Sequence, residues 1–99
     1  AYHMNIEEAN LPRAIERAGD RLFLFHVADS NRQAVGRGHG DFCAITRALQ
    51  TITYRGDVIF ECPAPGPDPF TAIKDSDSRA QVETFLRESL ARMKEYLAL

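Results

Sequence analysis

Two short apolar runs, Leu22-Phe23-Leu24-Phe25 and Val58-Ile59-Phe60, each end on a side chain that can bind a cation or move a proton, His26 after the first and Glu61 after the second. A continuous apolar run of this length is the pattern of a strand buried on both faces. The segment between them carries helical spacing, and strand, helix, strand in that order means parallel pairing, because antiparallel neighbours are joined by tight hairpins. Two parallel strands do not make a stable sheet alone. The 99 residues are therefore expected to be part of a larger barrel or doubly wound sheet. The opening Ala1-Tyr2-His3-Met4, without initiator or turn signal, adds to the expectation of a fragment of a longer chain.

Around the two runs the elements fall into order. Residues 1–9 are expected as a strand end followed by a loop. Asn10 can cap a short helix with Pro12 in its first turn, which runs through Ala18 and stops at Gly19. Ala28 to Gly40 is polar and rich in Gly, Asn, Ser and Arg, a loop of about thirteen residues whose length itself points to function. Asp41 can cap a helix that buries Phe42, Ile45, Leu49 and Ile52, and Gly56 closes the turn before the second strand. The four prolines of the stretch Cys62 to Pro69 predict an extended loop. Asp77-Ser78 then opens the last helix, with Ser78 and Gln81 at capping-box spacing and Val82, Phe85, Leu86, Ser89, Leu90, Met93 and Leu97 as one core-facing stripe.

Several function classes drop out on composition. The longest apolar run is far below the roughly 18 residues that cross a bilayer, and no charged-then-apolar leader opens the sequence. Twelve basic residues against fourteen acidic ones, a net charge of −2, give no electrostatic footprint for nucleic acid or an anionic membrane. Cys43 and Cys62 lack Cys-x-x-Cys spacing and the density of a secreted scaffold, so two reduced thiols in a cytoplasmic protein are expected.

In a (β/α)8 barrel each unit averages about 31 residues and functional side chains stand at the C-terminal strand ends. His3 to His26 is 23 positions and His26 to Glu61 is 35, which straddle that average. The three side chains would meet on one rim. An imidazole and a carboxylate converging there are two ligands of a divalent cation of the Mn, Mg, Co or Zn type, which takes four to six donors. The residues alone favour an interior histidine satisfied by its neighbours and an ordinary strand-end acid.

His26-Val27-Ala28-Asp29-Ser30-Asn31-Arg32, followed by Gly36-x-Gly38 and Asp41-Phe42, resembles the strand-seven signature of the sugar phosphate isomerase/epimerase superfamily, the xylose-isomerase-like TIM barrels, with the nearest likeness to ketose 3-epimerases. The opening Tyr2-His3-Met4-Asn5-Ile6-Glu7-Glu8 is similar to the segment after their sixth strand, where an Asp ligand precedes this His by three residues, one position before Ala1. The resemblance covers residues 1–99 as the C-terminal part of a single domain, the last quarter of the barrel, with two parallel strands and about three helices. It implies His26 as a metal ligand, Glu61 as both ligand and catalytic glutamate, and His3 and Arg32 as substrate-binding residues that stabilise a developing enediolate. The remaining carboxylates would lie upstream of Ala1. A divalent metal with Mn favoured, a small sugar or sugar phosphate as substrate, and a homo-oligomer follow from the same likeness.

Ala34-Val35 and Cys62-Pro63-Ala64-Pro65-Gly66-Pro67 depart from the pattern in loops that shape the sugar pocket. Arg37 and His39 could hold a phosphate at a helix N-terminus, but Asp41 at the cap would repel a dianion, which favours ordinary surface roles for both. Asp29 is expected to support a ligand from behind or to cap the loop, Cys43 and Cys62 to pack, and Met4 to line core or pocket. The abasic-site endonucleases share the barrel and a His-x-x-Asp-Ser-like strand end, which makes a zinc phosphodiesterase the alternative. The Asn31-Arg32-Gln33 loop, without their Asp-x-His pair, and the lack of a basic face weigh against it.

Overall fold

The computed structural model describes residues 1–63 and 75–98. Its centre is a parallel pair of strands, β1 (Leu24–Val27) and β2 (Asp57–Phe60), in which Leu24 lies opposite Asp57 and Val27 opposite Phe60. The ladder continues one bond further, where the Glu61 N–H donates to the Val27 carbonyl at 2.8 Å. Successive carbonyls of a strand point to opposite edges. The next one back, that of His26, accepts from the Ala1 amino group at 2.7 Å. The start of the chain thus lies along the edge of β1 that β2 leaves free.

β1 begins two residues later than the apolar run predicts. Gly19, at φ +54°, ends the preceding helix, and a 3-10 turn over Gly19–Arg21 leads into Leu22, whose N–H still donates to the Gly19 carbonyl. Pairing therefore starts only at Leu24, and Phe23 is left 88% exposed. Burial alternates along the strand: Phe25 and Val27 are buried while Leu24 and His26 are not. Within the described residues only one face of the pair is covered, which corrects the expectation of a strand buried on both. Leu24 and Ile59 stay 40% and 43% exposed on the open face.

Among the described residues four α-helices and the 3-10 turn flank the pair, and several of their ends follow from named side chains. α1 (Tyr2–Glu7) replaces the strand end and loop expected over residues 1–9. Its bonds begin with the Asn5 N–H donating to the Ala1 carbonyl at 2.9 Å, and its Met-Asn-Ile-Glu stretch has no β-branched run to oppose a helix. α2 (Leu11–Ala18) starts where Asn10 Oδ1 accepts the Arg13 N–H at 3.0 Å, with Pro12 in the first turn. α3 (Phe42–Thr51) starts where Asp41 Oδ1 accepts the Ala44 N–H at 2.9 Å. α4 (Ser76–Ala98) is capped by Asp75, which accepts the Ser78 N–H at 2.7 Å. Ser78 is thus the third helical residue rather than the cap, because a carboxylate placed three positions before it supplies the acceptor. The proline loop after Cys62 falls, from residue 64 onward, outside the described residues.

Phe25, Val27, Phe42, Ile45, Leu49 and Met93 meet on the helix side with Ile15 and Val35, so α2 and α3 pack on the pair and α4 closes over them. Each such side chain contributes about 1.5–3 kcal/mol when fully buried. The stripe on α4 is narrower than its spacing predicts: Phe85, Ser89 and Met93 are buried, whereas Leu86, Leu90 and Leu97 are 39–50% exposed. Among the described residues no helix is long and apolar enough to cross a membrane.

Candidate active site

Strand alternation carries His26, Ile59 and Glu61 to the same face, the one the helices leave open. His26 is the third residue of β1, ahead of Val27, and Glu61 is the first residue past β2. Their side chains converge at the C-terminal end of the pair. Nδ1 of His26 lies 3.6 Å from Oε2 of Glu61, with the side chains 47% and 42% exposed. The second carboxylate oxygen faces another donor, since Nη2 of Arg32 lies 3.8 Å from Oε1. One carboxylate is thereby shared between an imidazole from the neighbouring strand and a guanidinium from the loop above it.

Arg32 reaches that position through an unusual backbone. Its φ is +63°, in the left-handed region that costs a non-glycine residue about 1–3 kcal/mol. The tight turn that imposes it is closed by the Arg32 N–H donating to the Asp29 carbonyl at 2.8 Å and the Asp29 N–H donating to the Gln33 carbonyl at 3.0 Å.

Asp29 holds the whole loop. Its side chain is fully buried. Oδ1 accepts the N–H groups of Ser30 at 2.7 Å and Gly40 at 2.9 Å, and Oδ2 accepts that of Gly36 at 2.8 Å. Burial pushes the carboxyl up, but the amides of Gly40, Ser30, Gly38 and Gly36 together outweigh it and hold the group below its ordinary value. The glycines are there for close approach: a Cβ on Gly38 would lie 2.5 Å from Asp29 Oδ1. The expectation that Asp29 caps the loop holds, and its reach across eleven residues exceeds what a local cap would need. An acid followed by glycines at alternate positions, Gly36, Gly38 and Gly40, is the sequence signal that could have revealed it.

His3 is exposed on α1 and joins the other groups through a residue that spacing did not single out. The Tyr2 and His3 rings stand nearly perpendicular, 5.1 Å between centroids at 81°, and the Arg32 guanidinium carbon lies 5.1 Å from the centroid of the Tyr2 ring. Of the other candidates, Arg37 is taken up by Glu88 in a two-pronged ion pair at 2.7 and 2.8 Å and lies over the Phe85 ring. His39 is exposed, its backbone N–H donating to Ser30 Oγ. Cys62 is buried with Sγ 3.9 Å from Ser89 Oγ, and burial pushes its thiol up, as suits a packing residue.

Among the described residues no group of three or more His, Cys, Asp or Glu side chains gathers to hold a metal ion. As a donor set, one imidazole and one carboxylate 3.6 Å apart on an open face fit two positions around a divalent cation.

No protein-family model matches the chain. Curated relatives include an L-ribulose 3-epimerase of Methylomonas sp. (strain DH-1), 45% identical over 60 residues that make up 61% of this chain and 21% of the relative. A 3-dehydro-D-guloside 4-epimerase of Escherichia coli is 41% identical over 75 residues, 76% of this chain and 29% of the relative. Among solved structures, a D-psicose 3-epimerase determined in the presence of D-fructose superposes with a TM-score of 0.79 and 34% identity, covering 97% of this chain and 36% of that one. The 3-keto-D-glucoside 4-epimerase of E. coli superposes with a TM-score of 0.71 and 34% identity, covering 95% and 31%. The chain thus spans less than a third of the length of these curated relatives.

Proposed function

As a chain homologous to one part of the TIM-barrel sugar epimerases, with ketose 3-epimerases among its relatives, this protein supplies, we propose, one side of the active site of a metal-dependent ketose epimerase. The observation that carries this is the meeting of His26, Glu61 and Arg32 at one end of two parallel strands. His26 and Glu61 are the two donors the chain gives to a divalent cation of the Mn, Co, Mg or Zn class, Mn favoured. When bound, such an ion polarises neighbouring sugar oxygens and acidifies the hydrogen α to the carbonyl.

Epimerisation then needs only proton transfer. Glu61 takes the α-hydrogen from one face of the sugar, or returns it, and a second carboxylate outside this chain serves the other face. Negative charge develops on the enediolate oxygens as the proton leaves. The forked donors of Arg32 suit two oxygens at once, and His3 adds a further donor at the carbonyl end. The engagement of Arg37 by Glu88 supports a sugar without phosphate. The activities of the relatives favour this over a zinc phosphodiesterase. Two free cysteines, one of them buried, support a cytoplasmic setting.

The test is solvent exchange. The full-length polypeptide, loaded with Mn and given a ketose in D2O, should incorporate deuterium at the carbon beside the carbonyl and yield the epimer. Absence of exchange with every one of the four metals, together with cleavage of an abasic duplex, would replace the epimerase with the phosphodiesterase.

A further inference from the structure

We propose that Tyr2 is a positioning residue for Arg32, the face of its ring resting against the guanidinium and holding it beside Glu61. The proposal deepens the epimerase reading above and rests on Arg32 touching the sugar. The juxtaposition is specific: the guanidinium carbon is 5.1 Å from the Tyr2 centroid, and Nη2 of the same group is 3.8 Å from Glu61 Oε1. An arginine carried on a loop has several rotatable bonds and loses that freedom each time it grips a ligand. A ring face that attracts the cation removes part of the freedom beforehand.

Tyr2 is itself held firmly enough to do this. It sits in the first turn of α1 and packs, half-buried, against the cluster of Ala28, Ala34, Cys62 and Phe85. Those neighbours come from the loop that carries Arg32, from the end of β2 and from α4, so the ring is referenced to the scaffold and not to the arginine alone. The same ring packs nearly perpendicular to that of His3. A single aromatic side chain therefore spans the two residues proposed to bind substrate. A residue serving only as core filler would need its volume but not the electron-rich face that it turns to Arg32.

The experiment uses the full-length polypeptide and a ketose at saturating and subsaturating concentrations. Tyr2→Leu should lower kcat/KM by roughly threefold to thirtyfold, the range a cation–π contact spans, chiefly through KM and with bound metal unchanged. Tyr2→Phe, which keeps the ring face, should restore activity to within about twofold, and in an Arg32→Ala background Tyr2→Leu should cost less than about twofold, the scatter of uncoupled sites. Pentafluorophenylalanine at position 2 keeps the shape and reverses the charge distribution of the ring, so it should behave as Tyr2→Leu does. That comparison with Tyr2→Phe decides the matter even where Tyr2→Leu does not fold. Equal cost in both Arg32 backgrounds, or full activity with the fluorinated ring, would overturn the proposal. An Arg32→Ala protein with unchanged ketose turnover would instead overturn the substrate role of Arg32 on which it rests.

Discussion

His26 and Glu61 come within 3.6 Å of each other without being register partners: His26 lies opposite Ile59, and Glu61 stands two positions further along its strand. The contact is diagonal, made by the reach of a glutamate from the first residue beyond the ladder. An aspartate at position 61 would be one methylene shorter. The same geometry leaves the far oxygen of Glu61 to Arg32.

Glu61→Gln in the full-length protein should lower exchange of the substrate α-hydrogen with solvent by about a hundredfold or more, the usual worth of a general base. Gln preserves the shape and one weak oxygen donor but cannot accept the proton. Deuterium incorporation followed by mass spectrometry checks it, and near-normal exchange would leave Glu61 as a ligand only.

Arg32→Lys should lower kcat/KM for the ketose by about tenfold, since an ammonium replaces two parallel donors with a point charge. Metal content should be unchanged. Loss of the metal in this variant would move Arg32 from the substrate to the upkeep of the site.

Asp29→Asn should destabilise the fold by about 2–3 kcal/mol, because an amide replaces an acceptor-only carboxylate in front of backbone N–H groups. Gly38→Ala should act in the same direction, its Cβ meeting Asp29 Oδ1 at 2.5 Å. Thermal melts of both variants check this.

The low pKa of Asp29 also fixes the sign of a pH dependence. The folded value lies below the ordinary 3.8, so the unfolded chain takes up the proton first as pH falls. The stabilisation is full above the ordinary value and is lost as pH drops through 3.8 toward the lower folded value. Denaturant midpoints should fall more steeply in this acid window for the native protein than for Asp29→Asn.

The 99-residue chain by itself should bind Mn²⁺ weakly and turn over no ketose, since among the described residues His26 and Glu61 are two donors where such sites use at least three. Isothermal titration of Mn²⁺ and an epimerisation assay check this together. Tight one-to-one binding with turnover would place a full ligand set within the chain.

Much of this arrangement is legible in the order of residues. The caps at Asn10 and Asp41, the parallel pairing and the shared rim of His26 and Glu61 follow from local chemistry and element order, and all are present. The strand boundary is not, because Leu22-Phe23-Leu24-Phe25 has no period of its own and the turn at Gly19 decides where pairing can begin. α1 was missed because six residues carry too little periodicity to tell a helical turn from a strand end. The role of Tyr2 and the full reach of Asp29, expected only as a support or a loop cap, were hidden for a different reason. Their partners are amides up to eleven positions away and an arginine thirty positions away, contacts that exist only once the loop has closed.

The Asp29 hub separates two demands that usually compete within a binding loop. Because one buried carboxylate ties down the backbone at Ser30, Gly36 and Gly40, and Asn31 bridges the Gln33 N–H and the Arg37 carbonyl, the shape of the loop rests on these two side chains rather than on those of Gln33 or His39. Substitutions at Gln33 or His39 should then leave the path of the main chain, and with it the stance of Arg32, in place. Such a loop is open to change one side chain at a time, provided Asp29, Asn31 and the glycines facing Asp29 are left alone.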